Sequence, residues 1–153
     1  SSDGLIRFKV KVTNAGAGHY LPTGLTFVRQ MWLHVIVKDE KGNIVFESGK
    51  VDKKGNIDPE AVIYRSVLGD KDGKPTYFLP GAKIIISDYR ISPMGYKKEA
   101  YSFPLKKGDR PPLTVNAVLQ YRSAPQSLVN SLLGKDAPTI PILDMAEASA
   151  TIK

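Results

Sequence analysis

Apolar and polar residues alternate along much of this chain, and a period of two residues is typical of β-strands. In Leu5–Thr13 the apolar face takes Ile6, Phe8, Val10 and Val12, and the other face takes Arg7, Lys9 and Lys11. Residues 27–37 place Phe27, Arg29, Met31, Leu33, Val35 and Val37 on one face and Trp32, His34 and Ile36 on the opposite one. Further strands are predicted at Ile44–Ser48, 61–67, 82–87, 98–103, 113–121 and 148–152.

Turn-forming residues separate these runs, for example at 39–43, 54–56 and 70–73. Short strands at this spacing predict an all-β fold, an antiparallel immunoglobulin-like or fibronectin-like sandwich. One short helix is predicted at 125–133, with Ser123 as its N-cap and Gly134 as its end. No repeat, low-complexity tract or linker interrupts the pattern, so residues 1–153 are predicted to form a single domain.

Composition narrows the possible chemistry. The chain contains no cysteine, which excludes disulfides, thiolate metal sites and covalent attachment of a c-type haem. The formal net charge of +7 favours acidic partners. The lysines are interleaved with acidic residues, however, so nucleic-acid binding is not predicted. No apolar run is long enough for a transmembrane segment. No signal peptide is visible, and the start fits a processed mature protein or a fragment of a longer one.

The most unusual segment is 14–24, which reads Asn-Ala-Gly-Ala-Gly-His-Tyr-Leu-Pro-Thr-Gly. Glycines let a backbone take strained conformations or approach a ligand closely. Imidazole is a ligand for metals and for haem iron. His19 is therefore the candidate ligand, and the alternative is a tight loop at the sandwich edge in which His19 hydrogen-bonds to its surroundings. A structural role is favoured for His34.

The remaining constellations favour turns and packing. Asp52, Asn56, Asp58 and the segment 70–73 lack the ligand spacing of a calcium-binding loop. No nucleophile motif and no set of acid, base and nucleophile stands out, so the protein is predicted not to be an enzyme. The aromatic residues are interpreted as half-buried packing, with stacking on sugars or on a haem edge as the alternative: Tyr64, Tyr77, Phe78, Tyr89, Tyr96 and Tyr101.

Residues 18–24, in the pattern Gly-His-x-x-Pro-Thr-Gly, resemble the β-rich C-terminal domain of some multihaem c-type cytochromes. Arg29, Trp32-Leu33, the Asp39…Gly42 and Gly49…Gly55 spacings and Tyr121-Arg122 extend the similarity from about Val10 to Tyr121. The resemblance implies a sandwich that packs beside a separate haem region, and implies that His19 is an axial ligand to the iron of a haem held by a neighbouring segment or chain. This chain has no Cys-x-x-Cys-His motif. Haem c would therefore be carried by a longer precursor or a partner chain, unless the binding role has been lost.

The resulting hypothesis is a non-catalytic accessory and assembly domain of an extracytoplasmic multihaem cytochrome electron-transfer system, in the periplasm or at the cell surface. Its partner would be a haem-bearing c-type cytochrome chain or domain, and His19 would be its cofactor-binding residue. Two alternatives remain. One is an adhesive or carbohydrate-binding sandwich with no redox role. The other is a spacer or filament subunit that self-associates through a terminal strand such as Leu5–Thr13 or 148–152.

Overall fold

A computed structural model of the chain describes residues 4–153. Its strands are β1 (Leu5–Thr13), β2 (Gln30–Lys38), β3 (Ile44–Ser48), β4 (Ile63–Tyr64), β5 (Ser66–Gly69), β6 (Ile84–Asp88), β7 (Tyr96–Pro104), β8 (Leu113–Arg122) and β9 (Leu143–Ile152), and its helix is α1 (Gln126–Leu133). Short 3-10 turns lie at Leu79–Gly81 and Gly134–Asp136. Strands take 45% of the chain and helices 9%, which confirms the predicted all-β class.

Two antiparallel sheets form the body of the sandwich. β1 pairs with β7, and this sheet packs on a second one of order β3-β2-β8-β9, in which β4 also pairs with β2. The apolar face predicted for β1 meets, in the core, the face of β8 that carries Leu113, Val115 and Ala117. Phe46 of β3 also stacks there on Phe103 of β7. β5 and β6 form a separate two-stranded ribbon. The core residues are Val12, Met31, Leu33, Val35, Val37, Tyr64, Ile91, Tyr101, Phe103, Leu113, Val115 and Ala117.

The observed strands differ most from the predictions at β2, at the predicted strand 61–67 and at β9. β2 begins at Gln30 and not at residue 27, because the amides of Val28 and Arg29 both donate to the carbonyl of Leu25 in a local turn. The predicted strand 61–67 divides at Arg65: β4 pairs with β2, whereas β5 pairs with β6. β9 begins five residues earlier than predicted because it pairs with β8 over nearly its whole length.

The helix confirms the predicted segment but not its predicted N-cap. Pro125 stands at the N-cap, and its carbonyl accepts the first helical hydrogen bonds. Ser123 instead lies outside the helix, and its carbonyl accepts a hydrogen bond from Arg29 Nη1 at 3.2 Å. Gly134 ends the helix with a φ of 58°, as predicted. Within residues 4–153 no helix is long and apolar enough to cross a membrane.

A second, smaller core lies on the outer face of β2. Trp32 is completely buried there, and its Nε1 donates to the carbonyl of Gly49 at 3.0 Å. The guanidinium of Arg122 lies over the Trp32 ring and is itself 3% exposed. It donates to Gln30 Oε1 at 2.6 Å and to the carbonyl of Gly55 at 2.7 Å. Burial lowers the pKa of this guanidinium, and these neutral acceptors and the indole ring satisfy it without a carboxylate.

Candidate functional site

The loop 14–24 begins where β1 ends, and a buried asparagine anchors it. Asn14 is 1% exposed and extends the pairing of β1 and β7 through its amide, which donates to the carbonyl of Gly95 at 2.9 Å. Its side-chain Nδ2 donates to the carbonyl of His19 at 2.8 Å and, more weakly, to that of Ile91 at 3.4 Å. Its Oδ1 accepts from the amide of Ala17 at 3.1 Å. One side chain thus connects both halves of the loop to the sandwich.

A second anchor fixes the far half of the same loop. Leu21 and Ile91 exchange both backbone hydrogen bonds, each at 2.9 Å. Beside this bridge, the guanidinium of Arg90 lies 5.1 Å from the centroid of the Tyr20 ring. Arg90 also donates to both carboxylate oxygens of Asp88, at 2.7 and 2.6 Å, and this hydrogen bonding lowers the pKa of Asp88. The ion pair largely neutralises the charge next to the loop.

The imidazole of His19 is exposed at the tip of this doubly anchored loop. Its Nδ1 lies 3.0 Å from the carbonyl of Tyr20; a carbonyl can only accept, so Nδ1 carries the hydrogen and donates it. In the neutral form of the ring the lone pair is then on Nε2, and no described residue (4–153) hydrogen-bonds to this nitrogen. A ligating histidine in a metal site is typically oriented in this way, by a hydrogen bond from its other ring nitrogen.

His19 does not stand within a complete metal site. No group of three or more histidine, aspartate or glutamate side chains in the described part of the chain could hold a metal ion. Among the described residues, the arrangement therefore provides His19 as a single candidate ligand position. That fits the iron of a haem, whose macrocycle leaves only the axial positions to protein side chains.

Met94 lies in a turn beside the His19 loop, and it is not among the residues predicted for the site. In this four-residue turn the amide of Gly95 donates to the carbonyl of Ser92 at 3.0 Å, and Met94 takes a φ of 54° while 76% of its surface is exposed. A positive φ is unfavourable for a bulky side chain, and such strain concentrates at functional sites. The sequence Ser92-Pro93-Met94-Gly95 signals a turn whose third position, occupied here by Met94, favours glycine. This signal could have identified Met94 as a strained residue.

A buried carboxylate lies deeper in the sandwich, where three tyrosines surround it. Tyr64 donates to Glu99 Oε1 at 3.2 Å, and Tyr89 donates to both carboxylate oxygens at 3.1 and 3.2 Å. The hydroxyl of Tyr101 is buried and has no hydrogen-bond partner among residues 4–153. Burial, together with the charge of Glu99, raises the pKa of Tyr101 to about 12 and raises that of Tyr64 further. Because Tyr64 and Glu99 are both buried, this cluster stabilises the core and offers no open site for a substrate.

The other predicted candidates have structural partners. His34 Nε2 lies 3.1 Å from Glu47 Oε1 on the neighbouring strand. Burial acts to raise the pKa of Glu47, but hydrogen bonds from His34 and Lys50 outweigh it and lower this pKa. The carboxylates of Asp52 and Asp70 each accept backbone amides two and four residues further along the chain. These acids therefore close turns, which is the role that the sequence favours over calcium binding.

The six aromatic residues that the sequence singled out have different environments. Tyr64 and Tyr101 belong to the core. Tyr89 stacks on Tyr64 and keeps 39% of its surface exposed. Tyr77, Phe78 and Tyr96 are exposed. Tyr77 and Phe78 lie together in the segment between β5 and β6, whereas Tyr96 lies on β7.

Comparison with known proteins finds a similar fold in a solved structure. No protein-family model and no curated protein matches the sequence. Among solved structures, the chain is similar to a penta-heme cytochrome c552 from Thermochromatium tepidum, with a TM-score of 0.74 and 24% sequence identity. The match covers 99% of this chain but only 37% of that one. At this level of identity the likeness shows a shared fold, and nearly all of this chain has the fold of a segment of a longer cytochrome.

Proposed function

We propose that this chain is a non-catalytic accessory domain of an extracytoplasmic multihaem cytochrome electron-transfer system, and that His19 supplies an axial ligand to a haem. The observation that carries the proposal is the geometry of the imidazole. Its loop is anchored at Asn14 and at Leu21, its Nδ1 is engaged by a backbone carbonyl, and its Nε2 is open. The fold shared with a penta-heme cytochrome supports the same role.

The haem itself would be held outside this chain. Without cysteine the chain cannot attach haem c covalently. It also spans only 37% of the cytochrome that it resembles, so the attachment would lie in a further part of a longer protein or in a partner chain. The haem supplies the one-electron chemistry when bound. The role of this chain is then to position one ligand and to cover one side of the haem.

The test compares two histidine variants in the assembled, haem-bearing complex purified from its native source. His19→Ala should change the Soret band and shift the midpoint potential of one haem, because an axial ligand is lost. Added imidazole should restore the spectrum. His34→Gln is the matched control and should leave both unchanged, because that side chain already has a cross-strand partner. An unchanged spectrum for His19→Ala refutes the ligand role, and a preparation without any haem-bearing chain refutes the accessory role.

A second candidate is an adhesive or carbohydrate-binding module, and the β5–β6 ribbon is the feature that favours it. Phe78, Leu79 and Ile85 of this region are 67%, 56% and 68% exposed. Exposed apolar side chains that are concentrated in one region are typical of a contact surface. In this case binding to a glycan array or to a cell surface should survive His19→Ala and should be lost in Phe78→Ser. The native preparation would contain no haem.

A further inference from the structure

The sheet formed by β1 and β7 has an outer face with a uniform charge. Its inner face packs into the core, whereas its outer face presents Arg7, Lys9 and Lys11 from β1 and Lys98 from β7. The single acidic residue of these two strands, Glu99, points inward and is buried. We call the surface formed by Lys9, Lys11, Lys98 and Tyr96 the cationic face.

The charges on the cationic face repel each other. Lys11 and Lys98 stand directly opposite in the strand register, and like charges in that position destabilise a sheet. Their ammonium groups approach the same aromatic ring, that of Tyr96, at 4.4 and 5.4 Å from its centroid. None of the ion pairs found within residues 4–153 includes Lys9, Lys11 or Lys98. The described fold leaves this charge uncompensated, which favours a binding role over a structural one.

The cationic face leads directly to the candidate ligand. Thr13 and Tyr96 form the last pair of the β1–β7 ladder, and Asn14 continues that ladder to Gly95. The side chain of Asn14 then holds the carbonyl of His19. A partner that covers the cationic face would therefore lie beside the loop that carries His19.

We propose that the cationic face docks an acidic electron-transfer protein, and the redox nature of this partner rests on the function proposed above. Lysines are strongly hydrated point charges, and such charges steer rapid, weak association with a surface of opposite sign. A transient encounter of this kind is what electron transfer between proteins uses.

Two other classes of anionic partner fit the cationic face less well. Single-stranded nucleic acids are bound by several aromatic platforms in series. The outer sides of β1 and β7 offer only Tyr96, whose ring is flanked by lysines. Binding in a membrane interface needs large apolar side chains that enter the bilayer. The outward residues after Lys98 are Ala100, Ser102 and Pro104, which offer none.

The test uses the purified chain and poly-L-glutamate as an acidic polypeptide probe. The first variant replaces three lysines of the cationic face: Lys9→Glu, Lys11→Glu, Lys98→Glu. Positions 11 and 98 keep like charges opposite each other across the strands, but the sign of these charges is reversed. The matched control is the triple variant Lys41→Glu, Lys53→Glu, Lys135→Glu. It has the same net charge, but its three substitutions are at exposed lysines outside the cationic face. Titration calorimetry at low salt should show at least about a tenfold weaker complex for the first variant, or ~1.4 kcal/mol, and a much smaller change for the control. Salt should weaken the wild-type complex.

Three results would overturn the docking proposal: no binding of poly-L-glutamate, equal weakening in both triple variants, or tighter binding to phosphatidylglycerol vesicles or a single-stranded oligonucleotide than to poly-L-glutamate. The proposed function is tested separately. Reversing the cationic face should leave the haem spectrum of the native complex unchanged, and His19→Ala should leave binding of poly-L-glutamate unchanged. Each proposal can therefore fail while the other stands.

Discussion

Two buried tyrosines beside the same carboxylate should respond in opposite directions to the loss of their hydroxyl groups. Tyr64 donates to Glu99, so Tyr64→Phe removes one of the hydrogen bonds that satisfy a buried charge. Hydrogen bonds to charged groups contribute roughly 1.5–3 kcal/mol, and Tyr89 still donates to Glu99; we therefore expect a loss of ~2 kcal/mol. The Tyr101 hydroxyl has no partner within residues 4–153, and burying an unsatisfied polar group costs ~1–3 kcal/mol. Tyr101→Phe should therefore raise the free energy of unfolding, by ~1 kcal/mol.

Urea unfolding measures both variants. Trp32 is the single tryptophan of the chain and is completely buried, so its fluorescence reports global unfolding, and circular dichroism gives an independent signal. The free energies are compared from the midpoints at an unchanged slope. Tyr96→Phe is the exposed control and should lie within about 0.5 kcal/mol of the wild type. If Tyr101→Phe destabilises the protein as much as Tyr64→Phe, the reasoning from unsatisfied burial is wrong.

The same cluster predicts a loss of stability at alkaline pH. Burial raises the pKa of Tyr101 to about 12, from an ordinary value of 10.0. The folded state therefore keeps a proton that the unfolded chain releases above about pH 10. The stabilisation is fully present below that pH and is lost as the pH rises towards 12, at ~1.4 kcal/mol per pH unit. Tyr101→Phe should make this slope shallower by the contribution of one group, and Tyr64, whose pKa is also raised by burial, should keep a slope in the variant. An equal loss between about pH 9 and pH 11 in the variant and the wild type would contradict the assignment.

Three further substitutions test the anchors and the charged sheet by the same urea assay. Asn14→Ala should lower the free energy of unfolding by ~2 kcal/mol, because it removes the hydrogen bonds that hold the loop. The exposed control His19→Ala should change this free energy by less than about 0.5 kcal/mol. Equal effects of the two substitutions would argue against the role of Asn14 as an anchor. Lys11→Glu should stabilise the protein by ~0.2–1 kcal/mol at low salt, since it turns the repulsion of Lys98 into attraction, and a gain that persists in high salt would not be electrostatic. Gly49→Ala should cost at least ~3 kcal/mol, because φ is 84° and the added methyl group would lie 2.0 Å from a backbone carbonyl oxygen of β2; a variant of normal stability would contradict this backbone conformation.

Strands with one buried face could be predicted from the sequence, whereas segments buried on both faces could not. In β1 and β8, apolar and polar residues alternate because only one face of each strand packs into the core. Both strands lie where this pattern predicts them. Trp32 is different. The pattern places it on the face of β2 opposite Met31, Leu33 and Val35, yet it is completely buried. The segment that covers Trp32 contacts it at Gly49, seventeen residues further along the chain. The alternation within β2 contains no information about this contact.

The candidate site was predictable only in part, for a similar reason. The composition of the loop identifies His19, because a histidine among glycines is conspicuous in any strand-to-strand connection. Asn14 reads as an ordinary turn residue. Its burial depends on Ile91 and Gly95, which the fold brings to it from nearly eighty residues away. Anchors of this kind are long-range contacts, and local sequence patterns do not contain them.

The hydrogen bonds of the Asn14 side chain affect the entropic cost of binding a ligand at the loop. Asn14 holds the main chain at the carbonyl of His19, and its hydrogen bonds do not involve the imidazole. The conformational entropy of the loop is therefore lost when the domain folds. Under the proposed function, a haem bound at His19 would then have to immobilise little more than one side chain, at a cost of ~0.5–1.5 kcal/mol. Under the same proposal, methionine at position 19 would present a different axial ligand from the same backbone position. The potential of the haem could then be tuned without rebuilding the loop.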